Sequence, residues 1–213
     1  MPEPGDPKSL LPEEAVFLGK AVAQRAQEFA AGRACARRLL AELNTFNFPI
    51  KVADNRQPLW PEGLVGSITH TTGFCAAVVA PRTQIRALGL DTEVAGRVHQ
   101  ELWRHICVPA ETEWLETLPA TARAAAATAI FCAKEAFYKC QYPLAREWLY
   151  FHDARVELPQ WGAARGTCLV YPTRSIAFAA HAEFPLHGQY LFHEEFVTTG
   201  LAAINTPCRR ETL

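Results

Sequence analysis

Glu135 and Lys139 stand four residues apart in Phe131–Lys139, FCAKEAFYK. On a helix that spacing puts them on one face. A carboxylate and an ammonium held beside phenylalanine and tyrosine form either a structural ion pair or a site for a metal ion and a phosphate. Two more carboxylates, Asp91 and Glu93, occur upstream in Ala87–Glu93, ALGLDTE. As a strand, this stretch turns Leu88 and Leu90 to one face and Gly89, Asp91 and Glu93 to the other. Gly89 adds no side chain there, which leaves room for a ligand. Asp91, Glu93 and Glu135 together offer hard oxygen donors. Such donors suit Mg²⁺, which binds few protein carboxylates and fills its other positions with water and substrate phosphate. The plain alternative is that one of the Asp91–Glu93 pair is exposed and the other caps a backbone group.

Basic and hydroxyl side chains that could meet a phosphate lie further upstream. Gly66–Ala80, GSITHTTGFCAAVVA, carries Thr69, His70 and Thr71 at the end of a strand. Arg33 and Arg37 are four apart and share a helix face. Arg56 and Lys134 are further candidates, each with a solvated surface charge as its bland reading. Between Arg25 and Arg56 there are six basic and three acidic residues, so this part is locally basic. The histidines at 99, 105, 152, 181, 187 and 193 show no metal-ligand spacing. No G-x-S-x-G, P-loop or G-x-G-x-x-G motif occurs.

These residues need elements to place them. The chain has 213 residues, 49% apolar and 20% charged, with a formal net charge of −1. That length suits one large domain or two small ones, and the charge argues against a broad nucleic-acid surface. Seven scattered cysteines without a C-x-x-C pair fit free thiols in a reducing compartment. No apolar run is long enough to span a membrane and the start lacks a signal-peptide pattern, so the expectation is cytoplasmic. Residues 1–12 read as an extended lead-in that packs little. The text from Pro12 to Asn44 is helical, with Gly32 as the expected separator. Short strands follow to Glu93. Helices are expected at Glu101–Ile106, Pro109–Thr117 and Ala120–Gln141, the last stopped before Pro143. Four strand-like segments close the chain: WLYFHDARVEL, RGTCLVYP, RSIAFAAHAEF and QYLFHEEF. The tail INTPCRRETL reads as frayed. Each half runs helix first and strands later, and RSIAFAAHAEF echoes the GSITHT segment, which hints at an internal duplication. The expected fold is α+β (α/β mixed), with two similar α/β lobes of pseudo-twofold symmetry, residues 1–98 and 99–213, and a site in the cleft between them.

The ordered set GSITHT, LGLDTE and FCAKEAFYK resembles the 4′-phosphopantetheinyl transferases of the larger, two-lobed kind. The segments AGRACAR and RQPLWP are similar to upstream motifs of their enterobactin-synthase-component-D-like branch. The likeness spans about residues 31–149. It implies transfer of 4′-phosphopantetheine from coenzyme A to a carrier-protein serine, with release of 3′,5′-ADP and dependence on Mg²⁺ (Mn²⁺ as an alternative). It implies Asp91, Glu93 and Glu135 as metal ligands, with Glu135 also the base for the serine. Lys139 would contact the pyrophosphate. Thr69 and His70 would contact nucleotide phosphates, and Arg33 the 3′-phosphate, with Arg37 as a second contact. Arg56 stands near the place where relatives carry a lysine before a proline, but here the text is N-R-Q-P. The implied partners are acyl, peptidyl or aryl carrier proteins and coenzyme A, with no nucleic acid or membrane, acting on a monomer.

Two other readings use the same residues. A Mg²⁺-dependent nuclease or phosphohydrolase combines carboxylates and a lysine to activate water, although GSITHT has no part in it. A non-catalytic module that binds coenzyme A or a carrier protein would need no base.

Overall fold

The chain is mixed α+β. In chain order the elements are α1 (Pro12–Ala15), α2 (Ala23–Glu42), β1 (Leu64–Thr71), β2 (Phe74–Pro81), β3 (Ile85–Val94), α3 (Gln100–Ile106), α4 (Pro109–Thr117), α5 (Ala120–Ala145), β4 (Ala154–Glu157), β5 (Arg165–Pro172), β6 (Leu186–His193) and β7 (Phe196–Ile204). The computed structural model describes residues 5–53 and 55–205. Residues 1–4, Asp54 and the tail from 206, with Cys208, lie outside the described residues.

Strands β1 and β2 form an antiparallel pair, and the other five form an antiparallel sheet in the order β3-β7-β6-β5-β4. Each sheet carries one long helix. On the small sheet, Ala36 and Leu40 of α2 pack with Ile50, Trp60, Ile68 and Val79. On the large sheet, α5 buries Ala126, Ala127, Ala129, Ala133 and Ala136. A helix face of methyl groups lets backbone approach backbone, and Gly89 of β3 completes the fit. A Cβ built at Gly89 would stand 1.8 Å from the carbonyl oxygen of Ala136. The glycine therefore admits the helix, and the room expected there for a ligand is filled by α5. Gly32 acts similarly: it continues α2 instead of dividing it, and a Cβ there would meet Ile68 at 2.8 Å.

The large sheet does not end cleanly at β3. β1 lies along the free edge of β3, joined by side chains instead of a backbone ladder. The amides of Leu90 and Thr92 donate to the hydroxyls of Ser67 and Thr69, at 3.0 and 2.9 Å. β3 belongs to the first 98 residues in sequence, yet its backbone pairs with β7 near the end of the chain.

Three local expectations change. The lead-in packs: Pro7–Ser9 is a 3₁₀ turn, Leu10 is buried, and Gly5 lies against the α2 backbone at Ala31. α5 runs through Pro143 to Ala145, because a proline in the last turn forfeits only one helical hydrogen bond. RSIAFAAHAEF is not a strand. Its centre, Ala177–Ala180, is a 3₁₀ turn whose Phe178 is fully buried, so it does not echo the β1–β2 hairpin. The missing strand is β7, which pairs with both β3 and β6.

Lys134 is structural. Its ammonium donates to Glu111 at 2.7 Å and to the carbonyls of Ile106 at 2.7 Å and Phe151 at 3.0 Å, which satisfies all three protons. Glu111 in turn accepts from the amides of Val108 and Val156. Burial pushes the Glu111 carboxyl up and the Lys134 ammonium down, each opposed by the partner's charge. Removing one partner strands the other, so Lys134→Met should lower stability by about 3–5 kcal/mol in urea denaturation. Lys134→Met combined with Glu111→Gln should recover part of that loss. An unchanged midpoint for the single variant would contradict the pairing.

Candidate functional site

The alternation of β1 places Ser67, Thr69 and Thr71 on the side facing β3. Asp91 and Glu93 alternate in step on β3. Thr69 donates to Oδ1 of Asp91 at 3.3 Å, and Thr71 donates to Oε2 of Glu93 at 3.1 Å. Each carboxylate also takes one cation on that same oxygen: Lys139 on Asp91 at 2.6 Å and Arg97 on Glu93 at 2.7 Å. The second oxygen of Asp91, Oδ2, is buried and has no hydrogen-bond partner. A buried, unpartnered carboxylate oxygen is costly unless something positive meets it.

Glu135 lies half-buried on α5, facing this cluster. Burial raises its carboxyl above the usual range; Asp91 and Glu93 raise it further and Lys139 opposes them. Glu135 and Lys139 do not form the structural ion pair that was the alternative reading of their spacing. Lys139 instead reaches β3, donating to the Leu90 carbonyl at 3.1 Å as well as to Asp91. Among the described residues no three donors form a ready-made metal cage. A Mg²⁺ ion that keeps waters and takes phosphate oxygens needs none. The all-oxygen donor set and the orphaned Oδ2 of Asp91 fit such an ion.

Two cavities meet at Glu135 and Tyr138. One, of about 290 Å³, is lined by Arg56, Arg82, Arg86, Ser67, Tyr142 and Lys139 among others. The other, of about 490 Å³, is walled by Trp148, Tyr150, Phe151 and His105. Trp148 and Tyr150 are largely exposed.

The remaining sequence candidates divide. Arg56 lies in the first cavity, on a left-handed backbone turn with φ 68°. His70 projects to the opposite side of β1 from Thr69, toward α2. There Arg25 donates to its ring, and Glu28 approaches at 3.4 Å. Burial lowers the His70 pKa, Arg25 lowers it further, and Glu28 opposes both. Arg33 is buried, with its guanidinium 3.7 Å above the Phe29 ring and its Nε donating to the Ile50 carbonyl. Burial brings its pKa down to about 10, against the pull of Glu14. Arg37 is occupied by the buried carboxylate of Glu14 and the carbonyl of Ser9, and so ties the lead-in to α2.

Sequence reasoning passed over Ser67, Arg25, Arg97 and Tyr138, and gave Thr71 no part in holding a carboxylate. The period-two spacing of Ser67, Thr69 and Thr71 was a legible signal. Arg25 was counted only as part of a basic stretch. Arg97 reaches Glu93 through a turn, which no periodicity marks. The six described cysteines are free thiols. Among the described residues no helix is long and apolar enough to cross a membrane.

Comparison with known proteins bears on this arrangement. Residues 13–80 match the 4′-phosphopantetheinyl transferase N-terminal domain, and residues 87–197 match the 4′-phosphopantetheinyl transferase superfamily. The chain is 40% identical over 154 residues to 4′-phosphopantetheinyl transferase PptT of Mycobacterium tuberculosis, covering 71% of this chain and 67% of that one. It is 38% identical to 4′-phosphopantetheinyl transferase Svp of Streptomyces mobaraensis, covering 78% and 69%. It is 33% identical to enterobactin synthase component D of Salmonella typhimurium, covering 88% and 76%. Among solved structures, the holo-ACP-synthase from Plasmodium yoelii overlaps 58% of this chain and 97% of its own, with a TM-score of 0.45 at 16% identity. The chain therefore belongs to the 4′-phosphopantetheinyl transferase superfamily and is a transferase of that kind.

Proposed function

We propose that the chain transfers 4′-phosphopantetheine from coenzyme A to a serine of an apo carrier protein, with Asp91, Glu93 and Glu135 holding a Mg²⁺ ion (Mn²⁺ in its place where available). The observation that carries this reading is that Glu135 and Lys139 line an arginine-lined cleft while Lys139 reaches Asp91, whose Oδ2 is unpartnered. When bound, the ion would neutralise charge on the pyrophosphate and on the transferring phosphoryl group.

The chain's own residues supply the rest. Lys139 is the group to meet the pyrophosphate, exchanging its contact with Asp91 for a phosphate oxygen. Arg56 and Arg82 add positive charge along the same cleft. His70 and Arg25, already joined, form a donor pair for a nucleotide phosphate, with Arg33 behind them on α2. Arg37 has no such part, because Glu14 holds it. The larger cavity gives the uncharged pantetheine arm an aromatic wall of Tyr138, Trp148 and Tyr150.

A serine hydroxyl is a poor nucleophile until a base takes its proton. Glu135 suits that role because it stands on a helix where the two cavities meet, open to both. The serine oxygen forms a bond to the β-phosphorus while the bond to the 3′,5′-ADP oxygen breaks. The proton moves to Glu135, and 3′,5′-ADP leaves. One chain supplies every residue named here, so a monomer suffices. The net charge of −1 argues against a broad nucleic-acid surface. The free thiols are in keeping with work in the cytoplasm.

The loading assay combines the chain, coenzyme A, Mg²⁺ and an apo carrier protein. The carrier should gain the mass of one phosphopantetheine group. Glu135→Gln should reduce that transfer by about 10²–10⁴-fold while coenzyme A binding, followed by calorimetry, changes little. Full activity in the variant would remove Glu135 as the base, and phosphodiester cleavage without carrier loading would favour a hydrolase. His70 gives a separate test. Its ring resists protonation in the folded chain, so folding is fully favoured above the ordinary value of 6.5. That stability is lost as pH falls from there through the lowered folded value. Between about pH 7.5 and about pH 5 the parent chain should lose more urea stability than His70→Gln. Parallel pH profiles would contradict the burial assigned to His70.

A further inference from the structure

Two side-chain cations already occupy the carboxylates of β3. Lys139 holds Asp91 and is itself fixed by a second bond to the Leu90 carbonyl. Arg97 holds Glu93 at 2.7 Å, and its side chain is 61% exposed against 16% for Glu93. The two are therefore unlike. Lys139 is seated against backbone, whereas Arg97 reaches in from solvent over the mouth of the cluster.

The loop after β3 brings Arg97 there. Gly96 takes φ 88°, a left-handed turn open to glycine, and the Arg97 amide closes the turn onto the Val94 carbonyl. The next residue, Val98, is buried, and its amide donates to Thr128 of α5 at 3.0 Å. The backbone beneath Arg97 is thus pinned on both sides, while most of its long side chain lies in solvent. Glu93 receives Arg97 and Thr71 on the same oxygen, Oε2.

We propose that Arg97 is a positioning residue that stands in for the divalent ion. It holds Glu93 oriented in the metal-free chain, releases it as the ion binds, and so sets the metal affinity of the site. This rests on the reading of Asp91, Glu93 and Glu135 as metal ligands. In water a guanidinium–carboxylate contact this exposed is weak enough to be displaced. The same contact keeps Asp91 and Glu93 from repelling each other before the ion arrives.

The test is a Mn²⁺ titration of the full chain with coenzyme A present, followed by electron paramagnetic resonance. The parent should bind one ion in a site that Asp91→Asn removes. Arg97→Gln should tighten that site by about two- to fivefold, the size of an exposed ion pair. The Arg97 side-chain N–H signal, identified by its loss in Arg97→Gln, should move when Mg²⁺ is added to the parent. Weaker or equal Mn²⁺ binding in Arg97→Gln would overturn the proposal. So would a motionless Arg97 signal, or a variant whose only defect is a raised KM for the carrier protein. Absence of an Asp91-dependent site in the parent would overturn the metal reading itself, and this proposal with it.

Discussion

Everything in the site depends on how β1 grips the edge of β3. The grip consists of three hydroxyls at alternate positions, Ser67, Thr69 and Thr71, set against a strand whose acidic residues alternate in step. Ser67 and Thr69 accept the amides that an edge strand would otherwise leave exposed. Thr69 and Thr71 then use their own protons on Asp91 and Glu93. A hydroxyl both donates and accepts, so Thr69 serves both purposes at once. A backbone ladder would have paired the strands but left the carboxylates unoriented. The junction of the two sheets and the orientation of the acids are therefore one interaction.

The charge arrangement follows from that grip. Three carboxylates brought close in a partly buried place repel one another, and each must find compensation. Asp91 finds Lys139 and Glu93 finds Arg97, while Glu135 is left to hold its proton more strongly. Half-satisfied acids of this kind are poor scaffolding, which is in keeping with the metal and proton-acceptor roles proposed for them. Lys134 shows the contrast on the same helix. Its partner Glu111 is fully bonded, and the pair has no free oxygen or proton left for a ligand. Adjacent residues of one helix, Lys134 and Glu135, thus differ in the completeness of their hydrogen bonding, which suits one to structure and the other to the role proposed for it.

Much of this was legible in the chain. The alternation in LGLDTE and the helical spacing in FCAKEAFYK identify the elements that bear Asp91, Glu93, Glu135 and Lys139. The limits were physical. Periodicity tells which face a residue occupies but not what covers that face, so Gly89 read as room for a ligand when it admits α5. It cannot reveal a partner distant in sequence, so Arg37 reads as a phosphate contact where Glu14 holds it, and nothing in the spacing of Lys139 shows its bond to Asp91. Small-residue apolar runs suit strands and tight turns alike, so RSIAFAAHAEF reads as a strand where a 3₁₀ turn forms, and the strand is β7 instead. Arg97 was invisible because a turn, not a helix, brings it back to Glu93.

The central claim is that the hydroxyls of β1 set the geometry of the β3 carboxylates proposed to hold the metal. Thr69→Val keeps the shape of the side chain and removes its hydroxyl, so it isolates that claim. Mn²⁺ affinity measured by calorimetry on this variant, with the far-ultraviolet circular dichroism checked to be unchanged, should fall by about 10–100-fold. Affinity equal to that of the parent chain would contradict the account.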